Sequence, residues 1–324
     1  MAKTQVFRVG LLGASRIART AVIEPARRAE GFLVSAVAAR DPARAADYAR
    51  EHGIPAVAED YAALIARDDV DVVYNALPPA GHAAWTIAAL NASKAVLCEK
   101  PFARDAGEAA AMAEAARATG RPLLEAFHYR FHAVMRRAEA LAREGILGAP
   151  HTGAAEFNVA IPRRPGELRW SADQGGGAMM DLGCYPLHAM RTLMGSEPEI
   201  ASAEARFEDG VDAAMRAQIF FPGGAAVSIA CSMTAPAFSA SLRLGGERGS
   251  LEIVNFVAPQ FGCRFAVTVN GQRREEATEG PTTYAAQLVH LHAVLTGEAA
   301  PLTGGADAIA NMTAIDAIYR RARS

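Results

Sequence analysis

The stretch FRVGLLGASRIA, Phe7 to Ala18, decides the fold. The apolar run Val6–Leu12 reads as a first strand that flows straight into a glycine turn. Ser15–Ala29 then reads as a mostly helical stretch that Pro25 breaks or bends. A glycine turn in that place lets the chain fold back tightly and brings backbone N–H groups against a pyrophosphate, and the helix N-terminus adds a favourable dipole. The dinucleotide fingerprint is G-x-G-x-x-G/A. Gly13 fills its first place and Ala18 its third, while Ser15 stands in the second with a hydroxyl able to reach a phosphate. Gly10, Gly13, Ala14, Ser15, Arg16 and Ile17 are therefore candidates for cofactor binding, against the plain alternative of a structural turn.

Working outward, the first ~125 residues alternate short β-branched runs with helical stretches. Strands are expected at Leu33–Ala39, Val70–Tyr74, Ala95–Cys98 and Pro122–Ala126, with helices at Pro42–His52, Gly81–Asn91 and Asp105–Thr119. Fully apolar strands alternating with helices indicate a parallel sheet covered on both faces. After residue 126 the pattern changes. A helix over Phe131–Glu144 stops at Gly145, and seven strand-like runs follow between Thr152 and Val269. Pro222–Gly224, Gly245–Gly249 and Asn270-Gly271 read as hairpin turns within an antiparallel meander. Helices near Thr283–Leu295 and Asp307–Arg323 close the chain. The expectation is α/β: a doubly wound Rossmann sheet over 1–126, then an α+β domain with a mostly antiparallel sheet over 127–324.

Size and composition agree with this. The 324 residues suit two domains of ~100–200 residues. With 51% hydrophobic residues, 21% charged and a formal net charge of -2, nothing suggests a nucleic-acid binder, so the partner is expected to be a small molecule. No stretch approaches the ~18 apolar residues of a membrane span, and the N-terminus shows no separate apolar leader. Cys98, Cys184, Cys231 and Cys263 have no CxxC spacing, which reads as reduced thiols in a cytoplasmic protein. Only three lysines, Lys3, Lys94 and Lys100, stand against thirty arginines, so a lysine in an unusual place is informative.

The end of the second strand selects the cofactor. An acidic residue there would hold the ribose 2′-OH of NAD. Here the strand ends in Ala38-Ala39-Arg40, which leaves room and offers a guanidinium to a 2′-phosphate, so NADP is favoured and NAD stays possible. Asp41 before Pro42 reads as a helix cap. Further on, Glu99-Lys100-Pro101 leaves a buried strand at the edge where open α/β sheets bind ligands. The ammonium of Lys100 could polarise a substrate oxygen or lower the pKa of a neighbour; the alternative is a surface ion pair.

The glycine turn, the run YNALPP at Tyr74–Pro79 with His82 after it, Glu99-Lys100-Pro101 and the run GGGAMMDLGCYPLH at Gly175–His188 together resemble the Gfo/Idh/MocA oxidoreductase family over essentially the whole chain. The resemblance implies a Rossmann domain followed by a sheet domain whose open face commonly forms dimers or tetramers, hence a homodimer or homotetramer. It implies that Lys100 is the active-site lysine and Asp181 the carboxylate that orients substrate. Many inositol-type members carry a histidine four residues after that aspartate, where this chain has Tyr185. That is similar to the dihydrodiol dehydrogenase, glucose–fructose oxidoreductase and aldose dehydrogenase branch. His82 matches a position near the cofactor, and Leu77, Pro78 and Glu99 join the cofactor candidates. Lys100 and His128 are cofactor candidates as well, and His128 stands where the dihydrodiol members often have tryptophan, which leaves the pocket wall open.

Residue chemistry points the same way. Hydride transfer from a carbinol needs a group to take the hydroxyl proton. Free tyrosine, with a pKa of ~10, is a poor base near neutrality, and a nearby ammonium favours its phenolate. Tyr185 is therefore the expected general acid/base, Lys100 its electrostatic partner and Asp181 the acceptor of a substrate hydroxyl; the plain alternative for Tyr185 is a core tyrosine. Asp181 and Tyr185 share a face if helical, and Gly175–Gly177 would let backbone approach the ligand. Trp170 reads equally as core or as a wall over the nicotinamide, and Tyr284 and Gln287 as possible cofactor contacts. The spacing of His128 and His132 could suit a metal on a helix, but no third ligand stands out and none is expected. Arg163-Arg164 reads as a solvated loop pair. The expected activity is an NADP-dependent oxidoreductase acting on a sugar, polyol or cyclic diol. The alternatives are a reductase of a sugar-derived ketone and a non-catalytic sensor of NAD(P).

Overall fold

The computed structural model describes residues 4–324. Its strands are β1 (Phe7–Leu12), β2 (Phe32–Ala38), β3 (Ala56–Val57), β4 (Val72–Asn75), β5 (Ala95–Cys98), β6 (Leu123–Glu125), β7 (Pro150–Asn158), β8 (Glu199–Glu208), β9 (Val211–Phe221), β10 (Ala225–Ser232), β11 (Ser239–Gly246), β12 (Gly249–Val254), β13 (Arg264–Val269) and β14 (Gln272–Glu275). The helices are α1 (Arg16–Ala18), α2 (Glu24–Arg28), α3 (Pro42–His52), α4 (Tyr61–Ile65), α5 (His82–Asn91), α6 (Ala106–Thr119), α7 (Ala133–Arg143), α8 (Cys184–Met194), α9 (Thr283–Leu295) and α10 (Gly305–Ala322). A π-helical turn at Arg19–Ile23 joins α1 to α2, so the helical stretch ahead of Pro25 is continuous but widened. The chain forms two compact units: residues up to Phe127 with Tyr284–Ile309, and His128–Thr283 with Ala310–Ser324.

In the first unit the six strands run parallel in the order β3-β2-β1-β4-β5-β6. Their apolar runs bury both faces, as FLVSAVA in β2 and AVLC in β5 show. This order reverses direction between β1 and β4, and ligands of such sheets bind outside the carboxyl ends of the strands at that point. Asp41 caps α3 as its place before proline predicts, accepting from the N–H groups of Ala43 and Arg44. The elements β3 and α4 went unseen in the sequence because two and five residues carry no period. Leu288, Leu291 and Val294 of α9 are buried in the same core as Phe7, Leu11 and Tyr74.

The second unit holds eight strands in the order β14-β13-β12-β11-β7-β10-β9-β8. All its pairs are antiparallel except β7 with β10. The simple meander is thus corrected. The three turns close hairpins as expected, but β7 enters the middle of the sheet between β10 and β11. A strand that pairs with partners tens of residues away leaves no local turn signal. Alternation in β9 and β10 turns Val227, Ile229, Met215 and Ala217 inward, beneath α8 and the turn that leads into it.

Candidate active site

Within the first unit the glycine turn leaves β1 at Gly13, whose φ of +96° suits glycine, and its N–H donates to the Ala38 carbonyl at 2.8 Å. A Cβ there would meet Leu77 at 3.3 Å, so the first turn packs against the loop after β4. Gly10 has a different role. It lies inside β1, where a Cβ would come within 2.7 Å of Leu64, and serves packing. The hydroxyl of Ser15, read above as a phosphate contact, accepts the Ala18 N–H at 3.3 Å as a helix cap. Tyr48 and Arg44 hold the carbonyls of Ser15 and Ala14, both at 2.8 Å. Arg16 and Arg40 are exposed, the latter just beyond the carboxyl end of β2.

The loop after β4 and the loop after β5 are tied together. Asn75, fully buried, donates to the His82 carbonyl and to Thr86, and accepts from the Leu77 N–H. The ring of His82 sits with Nδ1 3.0 Å from the Pro101 carbonyl and Nε2 2.8 Å from that of Leu77. Burial pushes its pKa down, which the three backbone contacts partly oppose. His82 is therefore a buried staple between Leu77 and Pro101. Glu99 accepts the Tyr74 hydroxyl at 2.5 Å and the Lys100 N–H at 3.3 Å. Tyr284 of α9 lies half-buried near Glu99, and burial followed by that carboxylate pushes its hydroxyl upward. Gln287, one turn on, is completely buried, and neither amide atom has a hydrogen-bond partner among the described residues. These residues fit a dinucleotide: a positive-φ turn opening a helix, guanidinium groups at Arg16 and Arg40 beside small residues, and a lysine at the carboxyl end of β5.

In the second unit Gly176 and Gly177 are tightly packed against other parts of that unit. A Cβ on Gly176 would fall 2.5 Å from the Arg169 carbonyl, and one on Gly177 would fall 2.2 Å from Asp212. Asp212 is the residue sequence reasoning missed. It accepts the Met179 N–H at 2.7 Å and the Tyr319 hydroxyl at 2.6 Å, and so caps the π-helical turn Met179–Gly183 from β9. Burial raises its pKa to about 6. No local pattern around Asp212 announces this, because its partners lie far along the chain.

Asp181 on that turn and Tyr185 and His188 on α8 follow one another along one side. Asp181 pairs with Arg169 at 2.8 Å, and Arg169 also reaches Glu167 at 3.0 Å. Tyr185 is only 4% exposed, and its hydroxyl lies 3.1 Å from His128 Nε2. Phe157 meets the Tyr185 ring edge-on at 5.5 Å and Tyr129 is tilted against it at 5.7 Å. Tyr129 in turn hydrogen-bonds His188 Nδ1 at 2.5 Å. The structure thus gathers Asp181, Tyr185 and His128, but not His128 with His132. His128 lies in a 3-10 turn, and His132 caps α7 by accepting the Val134 N–H. No group of three metal-binding side chains occurs among the described residues. Trp170 donates to the Ile161 carbonyl at 3.0 Å beneath the Arg163 guanidinium at 4.2 Å. Arg163 also pairs with Glu208 and Asp209 while staying exposed to solvent.

Residues 7–127 match the model of an oxidoreductase family with an NAD-binding Rossmann fold, and residues 135–252 match that of the GFO/IDH/MocA C-terminal domain. D-xylose 1-dehydrogenase (NADP(+)) 2 of Haloferax volcanii is 34% identical over 320 residues, 97% of each chain. Trans-1,2-dihydrobenzene-1,2-diol dehydrogenase of Sus scrofa is 33% identical over 273 residues, 83% of this chain and 79% of that one. A 3-ketoreductase from Actinomadura kijaniata, solved with NADP and TDP-benzene, superimposes with a TM-score of 0.89 at 28% identity over 98% of both chains.

Proposed function

The chain belongs to the Gfo/Idh/MocA oxidoreductase family, and from that premise we propose an NADP-dependent oxidoreductase acting on a carbinol or carbonyl of a sugar, polyol or cyclic diol. NADP, when bound, supplies or accepts the hydride. The residues proposed to hold it are the Gly13–Ile17 turn, Arg40 for the 2′-phosphate, Leu77, Pro78, Glu99, Lys100 and Tyr284. Trp170 is proposed as a wall over the nicotinamide. The observation that carries the reading is the side shared by the Met179–Gly183 turn and α8, on which Asp181 precedes a phenol that is buried yet hydrogen-bonded to an imidazole.

In this reading Tyr185 takes the carbinol proton during oxidation and returns it during reduction. Lys100 favours the phenolate. Asp181, already oriented by Arg169, accepts a second hydroxyl of the substrate. The same residues serve reduction of a sugar-derived ketone, as the 3-ketoreductase likeness suggests. No described helix is long and apolar enough to cross a membrane. All four cysteines are thiols, which supports a cytoplasmic setting. The outward side of the second sheet presents Phe220, Ala226, Ser228 and Ala154, a surface suited to a second copy of the chain.

The test is a screen for NADPH formation with aldoses, inositols and trans-diols, repeated with Lys100→Ala and Tyr185→Phe. Each variant is expected to lose about 10²–10⁴-fold in kcat, with NADP binding unchanged in Tyr185→Phe and mostly kept in Lys100→Ala. Undiminished turnover in Lys100→Ala overturns its assigned role.

A further inference from the structure

Thr283, His128 and Tyr185 form a buried polar chain within the second unit. Thr283 is completely buried, and His128 and Tyr185 are 5% and 4% exposed. His128 Nδ1 lies 2.8 Å from Thr283 Oγ1, and Nε2 lies 3.1 Å from the Tyr185 hydroxyl. Gln260 Nε2 donates to Thr283 Oγ1 at 3.3 Å, which leaves that hydroxyl its own hydrogen and a remaining lone pair.

We propose that His128 is a positioning residue for Tyr185 that takes and returns the phenolic proton, so that phenol and imidazole work as one acid–base unit. The inference rests on the reading of Tyr185 as the general acid/base.

The surroundings of the two ring nitrogens support a mobile proton. Both nitrogens of His82 face carbonyl oxygens, which only accept, so movement of its N–H gains nothing. His128 faces two hydroxyls instead, and a hydroxyl both donates and accepts. With Nδ1–H given to Thr283, Nε2 accepts from the phenol. With the phenolic proton moved to Nε2, Nδ1–H still donates to Thr283 and Nε2–H donates to the phenolate. In both states each ring nitrogen keeps an oxygen partner, whose loss would otherwise be costly. When the proton crosses, the phenolic O–H bond breaks and its electron pair stays on oxygen. Nε2 gains the proton, and the resulting phenolate–imidazolium pair has no net charge. The O–H bond re-forms when the substrate hydroxyl delivers its own proton.

Other titratable groups of this unit stand nearby with their own partners. Tyr129 is bonded to His188, Asp181 is paired with Arg169, and His132 caps α7.

The test compares wild type, His128→Gln, which keeps hydrogen bonding but takes up no proton, His128→Phe, which keeps the ring, and Tyr185→Phe. His128→Gln and His128→Phe are expected to lower kcat/KM at pH 7 by about tenfold to hundredfold with KM little changed. The acid limb of the pH profile should move upward by at least about one pH unit, because a phenol then ionises without an imidazole to receive its proton. NMR of protein labelled at tyrosine Cζ gives a readout without cofactor. The signal absent from Tyr185→Phe should titrate with an imidazole in wild type and lose that titration in both His128 variants. A His128→Gln protein with wild-type pH profile and wild-type tyrosine titration overturns the relay even if Tyr185→Phe is inactive. Full turnover in Tyr185→Phe overturns the reading of Tyr185 itself.

Discussion

Replacing Asp212 with asparagine isolates the energy stored in one buried carboxyl. The carboxyl is 1% exposed, and burial lifts its pKa from 3.8 to about 6. Folding therefore favours its neutral form. Its contribution is complete below pH ~4 and is lost as pH rises through about 6. At 1.36 kcal/mol per pKa unit, the difference amounts to about 3 kcal/mol between pH 4 and pH 8. Asparagine has nearly the same shape. Its carbonyl can accept the Met179 N–H, and its amide can donate to Tyr319 if that hydroxyl turns. The assay is urea unfolding at a series of pH values, followed by fluorescence of Trp170 in the same unit. Plotted against pH, the stability of wild type relative to Asp212→Asn should fall by about 3 kcal/mol, with most of the change between pH 4 and 6.5. Two curves that stay parallel across this range would refute the argument that the carboxyl resists ionisation.

Gly177→Ala places a methyl group 2.2 Å from Asp212 at a backbone φ of +127°. It should cost about 1–3 kcal/mol or more, read as a lower midpoint in thermal unfolding, and should reduce turnover as the turn bearing Asp181 shifts. Arg40→Ser removes the guanidinium proposed for the 2′-phosphate. KM for NADP should rise by about tenfold to hundredfold and KM for NAD should stay the same, measured by initial rates with each cofactor.

Much of the first unit was legible because its signals are local. Asp41-Pro42 announced α3, and the apolar blocks of β1, β2 and β5 announced a covered sheet. Lys100 stood out by rarity, and Tyr185 by its place after Asp181. The insertion of β7 into the second sheet was hidden, since strand pairing over that distance has no period to read. The roles of Asp212 and Gly177 were hidden for the same reason: each is defined by an atom that folding alone brings near. The contacts of His128 with Thr283 and Tyr185 were equally closed to sequence reading, because what faces each ring nitrogen is set by folding alone.

The helix Thr283–Leu295 has a consequence for biosynthesis. A ribosome that has released residues 1–127 has delivered all six parallel strands, yet the hydrophobic residues that complete their packing are still more than 150 codons away. Until Leu288, Leu291 and Val294 emerge, Phe7 and Phe32 lack the His292 ring that meets them edge-on. A nascent chain stalled after residue 127 should therefore be readily cleaved by protease, and a shortened gene encoding that segment should yield a poorly packed product.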